Sequence, residues 1–316
     1  MPDEGYRALK AGDRVLVVAN PSTRAEINPI FSMLRQLAPV GVKLDMRMTQ
    51  AAGDATDIVR THVSGAAMVI AVGGDGTVAE VAEHLDHGRI PLGIIPAGST
   101  NIVARELGLP TDIRKAAELI WSSCRYHRID AGTANGRIFL HMAGCGFDSR
   151  IFDLTDSQLK RKVGWIAYLP AAIKALQEPP MAYHLRTEKQ EFDVISPLVL
   201  VANGGSIISP RLKLHSKIRN DDGWLNVLVI TAATPNQLAR TLGRLATLQL
   251  EKSPYLMHLR VKELDVRTET PMPVELDGDV VTETPVKFRI LPREIMVVCP
   301  NLPGPLRRGF ARPTKQ

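Results

Sequence analysis

The chain has 316 residues, of which 45% are hydrophobic and 23% are charged, values typical of a soluble globular protein with about two domains. No apolar run reaches the ~18 residues of a membrane-spanning helix, and the polar N-terminus does not resemble a secretory signal, so we expect a cytoplasmic protein. Lysine and arginine exceed aspartate and glutamate by 39 − 33 = 6, which favours an anionic partner. The aromatic content of 5% argues against a base-stacking nucleic-acid platform.

The first hundred residues alternate between strand and helix patterns. Short apolar or alternating runs predict strands at 14–19, 43–48, 67–72 and 91–95. Helical patterns follow them, beginning near Ile27, at Gly53-Asp54-Ala55, after residue 76 and near Ile102. This β-α-β-α order predicts a doubly wound parallel sheet.

The third strand ends in a glycine-rich turn, Gly73-Gly74-Asp75-Gly76-Thr77. Three glycines remove the side chains that would keep a ligand from the backbone amides. The helix that follows offers unpaired N–H groups and a partial positive charge, which suits a phosphate group. We expect Thr77 to be the N-cap of this helix, with Glu80 completing a capping box.

Asp75 is the informative residue of this turn. A carboxylate in a phosphate cradle repels its ligand unless a Mg²⁺ ion bridges the two or a substrate hydroxyl donates its proton. Both arrangements indicate phosphoryl transfer rather than passive dinucleotide binding. The alternative, a tight turn in which Asp75 caps a helix, stays open on these residues alone.

Two further loops follow strands of the same sheet. Asn20 ends the first strand, and Ser99, Thr100 and Asn101 follow the fourth. Because the carboxyl ends of parallel strands share one edge, these polar groups predict a nucleotide cleft there. Helix capping is the alternative role of Ser99 and Thr100.

From about residue 125 the chain becomes rich in strand patterns. Asn135-Gly136 predicts a hairpin between strands at 128–133 and 137–143. Further strands are predicted at 181–186, 194–202, 224–231, 258–268 and 286–290, with helices at 159–177 and 236–248. Thr234, Pro235 and Gln237 predict an N-cap, a first-turn proline and a capping box at the start of the second helix. We therefore expect an α/β nucleotide-binding domain at 1–126, completed by 295–316, and a mainly antiparallel β-domain at 127–294.

Glycine and acidic residues recur at three turns of the second half, 144–148, 220–224 and 276–279. Such clusters are commonly solvated turns. Asp277 and Asp279 would lie on one side of an extended segment, where one carboxylate acts as a base and the other tunes it or meets Mg²⁺. The three cysteines and the histidines show no metal-ligand spacing, and we expect them to be structural. The sequence has no P-loop and no protein-kinase catalytic loop.

Taken together, these landmarks resemble the diacylglycerol kinase catalytic family, especially its bacterial soluble lipid kinases, and more distantly sphingosine and ceramide kinases. The Gly-Gly-Asp-Gly turn alone is shared with NAD kinases and phosphofructokinases. The ordered set is more specific and spans nearly the whole chain: Asn20-Pro21-Ser22, Thr49 with 53–55, 73–77 with Glu80-Val81, 98–101 with Ala104-Arg105, 144–148, 221–223 and 276–278.

The resemblance implies two domains with the active site in the cleft between them, and it makes the β-rich domain at 127–294 the one that binds the lipid substrate. ATP would be bound by Asn20, Thr49, Gly73, Gly74, Asp75, Gly76, Thr77 and Ser99. A structural Mg²⁺ would take the carboxylate of Asp222 and the backbone carbonyls of Arg219 and Trp224. Asp279 would be the general base, and Asp75 would organise the Mg²⁺-nucleotide or take the base role, as its counterpart is thought to do in the sphingosine branch.

The chain departs from the family pattern at three positions. Asp279 replaces the usual Glu and is one methylene shorter, Ile102 replaces an Asp, and Ala79 replaces a common Asn. We predict a lipid kinase that phosphorylates diacylglycerol, or ceramide or a sphingoid base. The alternatives are an NAD kinase and a nucleotide-binding regulator without activity.

Basic and aromatic residues suggest how the protein meets its lipid. They form one group in the predicted helix, Lys160, Arg161, Lys162, Val163, Trp165, Ile166 and Tyr168, and one near the end, Arg307, Arg308, Arg312 and Lys315. Cations near an anionic bilayer are each worth about 1 kcal/mol, so we expect peripheral contact with the inner face of the membrane. A solvated helix face is the alternative. Nucleic acid is not expected as a partner, and a homodimer is left open.

Overall fold

The computed structural model describes residues 8–21, 26–85, 87–122, 125–146, 180–207, 209–232, 234–247 and 249–300. The chain divides into two compact units, residues 1–130 with 292–316, and residues 131–291. The sequence places these boundaries after residues 126 and 294.

The first unit contains alternating strands and helices. In chain order they are β1 (Arg14–Ala19), α1 (Ile27–Leu37), β2 (Lys43–Met48), α2 (Asp54–His62), β3 (Ala66–Gly73), α3 (Asp75–Ala82), β4 (Leu92–Pro96), α4 (Ile102–Glu106), α5 (Ile113–Ser122) and the first part of β5 (Tyr126–Ala134). The four strands predicted before residue 100 are confirmed, and so are the helices that begin near Ile27, Asp54 and Ile102.

The strands of this unit form a parallel sheet in the order β2-β1-β3-β4. Val297 near the end of β18 (Val286–Val298) pairs with Leu92 and adds a further parallel strand. Val17 of β1 and Ile70 of β3 are fully buried, because their strands are covered by helices. Since β1 and β3 are neighbours while the chain leaves them toward opposite edges, their carboxyl ends form a switch point.

The second unit is built mainly of short strands. Its described elements in chain order are the end of β5, β6 (Arg137–Phe139), β7 (Met142–Cys145), β8 (Met181–Thr187), β9 (Glu191–Ser196), β10 (Val199–Ala202), β11 (Ser206–Ile207), β12 (Ser209–Lys213), β13 (Leu225–Ile230), the helix α6 (Pro235–Ala246), a 3₁₀ turn (Leu250–Lys252), β14 (Leu256–Val261), β15 (Glu263–Arg267), β16 (Pro273–Leu276), β17 (Asp279–Glu283) and the start of β18.

Strand pairing in the second unit is antiparallel. One sheet has the order β14-β13-β10-β7-β16-β17, and the start of β18 continues into β15-β8-β9. The core of this unit includes Phe139, Tyr183 and Phe288, each buried. The rings of Phe139 and Phe288 meet edge to face at 6.2 Å, an arrangement that aromatic pairs prefer.

Two local predictions are confirmed in detail. The hairpin joins β5 to β6 through Asn135 and Gly136, both with positive φ (49° and 89°), as a type I′ turn requires. At the start of α6, the Thr234 hydroxyl accepts from the Gln237 N–H and the Thr234 N–H donates to Gln237 Oε1, both at 3.3 Å, which is a reciprocal capping box.

Three predicted strands are each two strands in the structure. The run 137–143 breaks after Phe139, the run 194–202 breaks at Pro197, and the run 258–268 breaks at Lys262. Pro197 explains the second of these breaks, because proline lacks the N–H that the hydrogen-bond ladder of a sheet needs. The alternation of apolar and polar residues along a strand does not reveal where that strand leaves a sheet. The sequence also predicts no strand at β16 or β17.

Several sequence predictions lie outside the described residues. They are Ser22, Cys124, Phe147, Asp148, the helix at 159–177 with its basic and aromatic residues, and the basic residues after 300. Cys145 and Cys299 are buried free thiols, as expected, and burial raises the pKa of Cys145 to about 12. Among the helices that the structure describes, none has both the length and the apolar character needed to cross a membrane.

Candidate active site

The predicted nucleotide residues of the first unit lie where the parallel strands end. Backbone bonds continue the sheet beyond each strand: Asn20 N–H donates to Val72 O (3.0 Å), Thr49 N–H to Ala19 O (2.9 Å), and Ala97 N–H to Gly73 O (2.9 Å). Asn20 Nδ2 also donates to the Thr77 hydroxyl at 3.3 Å. The structure therefore brings these loops together at one edge of the sheet, as switch-point ligand sites require.

The glycines of the two main loops allow the loops to touch. A Cβ added at Gly98 would lie 2.5 Å from the Gly74 Cα, and one added at Gly73 would lie 2.6 Å from the Thr77 side chain. Contacts this short would force the backbone or Thr77 to move. Close packing within the protein thus explains the glycines at both positions.

Asp75 joins the glycine turn to the next loop. Its Oδ2 accepts from the Ile102 N–H and its Oδ1 from the Val103 N–H, both at 3.0 Å. These N–H groups belong to the first turn of α4 and lack partners within that helix. Asp75 therefore caps α4 from outside. Each of its oxygens retains a further lone pair, so its roles toward Mg²⁺ or a substrate proton stay predictions.

The expected capping box at Thr77 and Glu80 is wrong. Helix α3 begins at Asp75 with Gly74 as N-cap, so Thr77 lies in its first turn. Glu80 instead accepts from the N–H groups of Gly53 (2.9 Å) and Ala55 (3.2 Å). Because these amides open α2, Glu80 caps a neighbouring helix, a contact that sequence spacing does not reveal.

Ser99 and Thr100 do not provide an N-cap for α4. The N-cap position is Asn101, which has a φ of 50°. Its side chain turns back to accept from the Gly98 N–H and donate to the Gly98 carbonyl, each at 2.9 Å. Ser99 is exposed, and its hydroxyl makes no hydrogen bond within the described part of the chain. It is therefore available to a ligand.

In the second unit, the segment with Asp277 and Asp279 is a tight turn. Leu276 and Asp279 are paired residues of β16 and β17, and Asp277 and Gly278 between them have φ angles of 51° and 108°. The extended segment expected for the two aspartates is therefore wrong. An Asp-Gly pair is a strong signal for a two-residue hairpin of this type, and that signal was present in the sequence.

Asp277 holds this turn against the break between β6 and β7. Its Oδ2 accepts from the Leu140 N–H (2.7 Å), and its Oδ1 accepts from the His141 (2.9 Å) and Met142 (3.0 Å) N–H groups. Burial raises the pKa of Asp277 to about 6, while the amide bonds and the nearby His141 act in the opposite direction. All its bonds are to backbone, so its observed role is to position the turn.

Asp279 is the first residue of β17 and is exposed. The turn fixed by Asp277 therefore presents Asp279 at the surface of the second unit. A general base must reach its substrate, which an exposed carboxylate can do, and the role of Asp279 as base stays a prediction.

The carboxylate predicted to bind a structural Mg²⁺ already accepts hydrogen bonds within the protein. Asp222 Oδ2 accepts from Arg260 Nη2 at 2.7 Å, and Oδ1 accepts from the Trp224 N–H at 3.1 Å. The Arg219 side chain pairs with the neighbouring Asp221. Among the described residues, no group of three or more His, Cys, Asp or Glu is placed to hold a metal. A site at Asp222 would therefore depend on backbone oxygens.

Two family descriptions match the chain along most of its length. Residues 14–134 match the diacylglycerol kinase catalytic domain. Residues 142–299 match the YegS C-terminal NAD kinase beta sandwich-like domain. The chain belongs to the diacylglycerol kinase catalytic family.

Individual relatives agree with this membership. A probable lipid kinase YegS-like from Pseudomonas aeruginosa is 30% identical over 298 residues, covering 91% of this chain and 95% of its own. A diacylglycerol kinase from Staphylococcus carnosus is 28% identical over 294 residues, with coverages of 91% and 95%. An uncharacterised Synechocystis protein is 30% identical over 241 residues, and this match spans 75% of the chain and 55% of the relative.

The fold of the family is also that of this chain. The crystal structure of a putative diacylglycerol kinase from Bacillus anthracis has 25% sequence identity and a TM-score of 0.77, and the match covers 93% of this chain and 97% of that one. The α/β unit with a parallel sheet and the antiparallel β unit are thus as the sequence predicted.

The structure explains how this chain tolerates Ile102 at a position where the lipid kinase family usually has Asp. Ile102 meets Asp75 through its backbone N–H, which every residue except proline supplies. Its side chain is 6% exposed and is part of the hydrophobic core. The cap on α4 therefore does not depend on a polar residue at this position.

Proposed function

We propose that this kinase transfers the γ-phosphoryl group of ATP to a hydroxyl group of a membrane lipid, diacylglycerol first and ceramide or a sphingoid base next. The observation that carries the proposal is the pair of glycine loops at the switch point, held together by Asp75 and by the close approach of Gly74 and Gly98. Family membership supports a phosphotransferase acting on a lipid alcohol.

The first unit would bind the nucleotide phosphates. The first N–H groups of α3 have no partner within their helix and carry a partial positive charge. The exposed hydroxyl of Ser99 adds a donor from the second loop, and Asn20 and Thr49 border the same edge. Because the loops are fixed by internal bonds before a ligand arrives, little ordering would be needed on binding.

The second unit would supply the base. In the proposal, Asp279 accepts the proton of the lipid hydroxyl as its oxygen attacks the γ-phosphorus, and the bond from that phosphorus to the β-γ bridging oxygen breaks. Phosphoryl transfer depends mainly on positioning and charge stabilisation. Asp277 contributes by holding the turn through three amides, so that the backbone leading to Asp279 is fixed.

Mg²⁺ is part of the proposal at two places, and the donor chemistry fits it at both. Bound Mg²⁺ would neutralise phosphate charge. Asp75 is the carboxylate that would meet an ion arriving with the nucleotide. At Asp222, a carboxylate with the carbonyls of Arg219 and Trp224 offers the oxygen ligands that Mg²⁺ prefers, although Arg260 shares this carboxylate.

The proposal is tested with γ-labelled ATP and a panel of acceptors. Diacylglycerol, ceramide and a sphingoid base are presented in mixed micelles, and NAD is presented in solution, with each product identified by mass. We expect labelled lipid phosphate, in the largest amount from diacylglycerol. A Gly98→Ala variant, in which the two loops are forced apart, should lose labelling of every acceptor.

The other outcomes identify the alternatives. Label on NAD and on no lipid would make the protein an NAD kinase. Tight ATP binding by calorimetry with no labelled acceptor, in a lipid extract as well as in the panel, would favour a regulator that has lost activity. Either result would overturn the proposed reaction.

A further inference from the structure

A cavity with two arginines lies in the second unit, formed by α6 and the chain that follows it. Its volume is about 520 Å³, and it is lined by Arg240, Gly243, Arg244, Gln249, Pro254 and Tyr255. This volume lies within the range of small-molecule sites. None of these residues belongs to the predicted nucleotide, base or metal positions.

The two arginines of this cavity are not neutralised within the described part of the chain. Arg240 and Arg244 are four residues apart on α6, and neither side chain has a hydrogen bond or ion pair there. Like charges at this spacing destabilise a helix by a few tenths of a kcal/mol. The nearest acid in sequence, Glu251, instead accepts from the Ser216 N–H. Two arginines thus line one cavity, and no described residue supplies either of them with a counter-charge.

No described residue gives Gly243 a packing reason. A Cβ added there would meet none of their atoms within 4 Å, and Gly in a helix interior costs about 1 kcal/mol relative to Ala. The residue lies between the two arginines in sequence and lines the same cavity. Its missing side chain leaves open space in the cavity that Arg240 and Arg244 also line.

The segment that follows α6 and completes the cavity is held in place by hydrogen bonds. Thr241 and Ser253 are buried, and their hydroxyls lie 3.2 Å apart. Ser253 Oγ also accepts from the Tyr255 N–H at 3.3 Å, and the Gln249 N–H donates to the Arg244 carbonyl at 2.7 Å. The segment with Gln249, Pro254 and Tyr255 is therefore fixed against α6, and the cavity is formed before a ligand binds.

We propose that this cavity is a binding site for a phosphate-bearing anion, held by Arg240 and Arg244 over the gap at Gly243. Arginine pairs bind phosphate oxygens through several charge-assisted bonds, and Gln249 and Tyr255 add neutral donors. The phosphate is carried either by an anionic phospholipid headgroup or by a small soluble phosphate. The site is separate from the kinase reaction and does not depend on the proposed function.

The two sources are distinguished by direct binding, without turnover. One arm measures co-sedimentation of the full chain with vesicles of phosphatidylglycerol and phosphatidylcholine in equal parts, against vesicles of phosphatidylcholine alone. The other arm measures inorganic phosphate and glycerol 3-phosphate by calorimetry. The variants are Arg240→Ala with Arg244→Ala, Gly243→Ala, and the control Arg267→Ala. Arg267 is an exposed arginine of the same unit that does not line the cavity.

We expect the double arginine variant to bind its anion about 25-fold more weakly, because each cation near an anionic surface contributes roughly fivefold. Gly243→Ala should melt at a higher temperature, since Ala favours the helix, and yet bind more weakly, because the methyl group enters the cavity. The control should bind like the wild type. Dependence on these residues in the vesicle arm identifies a headgroup, and the same dependence in the soluble arm identifies a free phosphate.

The proposal is overturned if the double variant and the control bind equally in both arms. It is also overturned if the wild type binds no anion in either arm. We expect Gly243→Ala to be more stable than the wild type and to bind the anion more weakly. A loss of folding therefore cannot account for weaker binding by this variant.

Discussion

Two acidic turns, one in each unit, look alike in sequence and serve the protein differently. In both, an aspartate beside glycine uses its two oxygens to hold backbone amides of another segment: Asp75 holds two at the start of α4, and Asp277 holds three at the break between β6 and β7. The first turn lies at the N-terminus of α3, where we propose that the nucleotide phosphates bind. The second leaves the next acid, Asp279, exposed.

The difference shows that the prominent acid of a motif can be a positioning residue. Asp75 joins two loops whose backbones are already in contact through glycine, so it lies at the proposed phosphate site itself. Asp277 has all its observed bonds inside the second unit, and the exposed acid that we propose as the base is two positions further on. Substitutions in the two turns should separate these roles by their effects on stability and on ATP binding.

Replacing Asp277 with Ala should destabilise the protein by at least ~3 kcal/mol, because three amide donors lose their acceptor and each costs about 1 kcal/mol or more. Urea unfolding followed by circular dichroism measures this change. Asp279→Asn, two residues away and exposed, is the matched control and should stay within about 0.5 kcal/mol of the wild type. Equal effects of the two variants would contradict the positioning role of Asp277.

Asp277 should also make the stability of the protein depend on pH. The pKa of Asp277 is raised from 3.8 to about 6 in the folded state, so the folded protein retains a proton that the unfolded chain releases. Stability from this group is therefore greatest below about pH 4 and falls as pH rises toward 6. Asp277→Asn should remove this decline in unfolding curves. A wild-type decline that persists in the variant would assign it to other groups.

Replacing Gly98 with Ala should cost about 1–3 kcal/mol, the usual effect of overpacking, because the new Cβ would lie 2.5 Å from the Gly74 Cα. Gly74→Ala is the matched control, since its Cβ would lie 3.4 Å from the Gly98 Cα. Thermal unfolding measures both variants. If Gly74→Ala destabilises as much as Gly98→Ala, the loops do not pack as described.

Replacing Asp75 with Ala should cost about 1 kcal/mol of stability, the typical value of a helix cap, and should weaken ATP binding because the second loop loses its attachment. Asp75→Asn retains one acceptor oxygen and should lose less stability. Unfolding curves and ATP calorimetry on the two variants test this order. The opposite order in stability would remove Asp75 as the cap of α4.

The smallest effect concerns the proposed Mg²⁺ at Asp222. Mg²⁺ should raise the melting temperature of the wild type slightly, should raise that of Arg260→Ala more, because the competing guanidinium is absent, and should leave Asp222→Asn unchanged. Thermal unfolding across a Mg²⁺ titration measures the three shifts. Identical shifts in all three proteins would place any Mg²⁺ elsewhere.

The sequence predicted those features that depend on local pattern. The buried runs of β1 and β3, the Asn135-Gly136 hairpin and the capping box at Thr234 each carry their signal within a few residues. The family was also predictable, because its motifs occur in order along the chain. Glu80 shows the limit of this reasoning: its spacing from Thr77 fits a capping box, yet its carboxylate binds amides 25 and 27 residues away.

The contacts of Asp75 and Asp277 were beyond local pattern for the same physical reason. Each carboxylate binds the backbone of a distant segment, 27 and 28 residues away for Asp75 and 135 to 137 for Asp277, and a backbone partner leaves no trace in residue type. The break between β6 and β7 lies at the three amides that Asp277 binds, and the predicted single strand at 137–143 is wrong there.

The most direct test of the proposed reaction is single-turnover phosphoryl transfer from γ-labelled ATP to diacylglycerol by Asp279→Asn. Its matched control is Glu283→Gln, which removes an exposed acid at the other end of the same strand. General-base catalysis is worth about 10²- to 10⁴-fold, so we predict a loss of that size in Asp279→Asn with ATP binding retained, and no loss in Glu283→Gln. Unchanged transfer by Asp279→Asn would contradict the proposal that this carboxylate is the base.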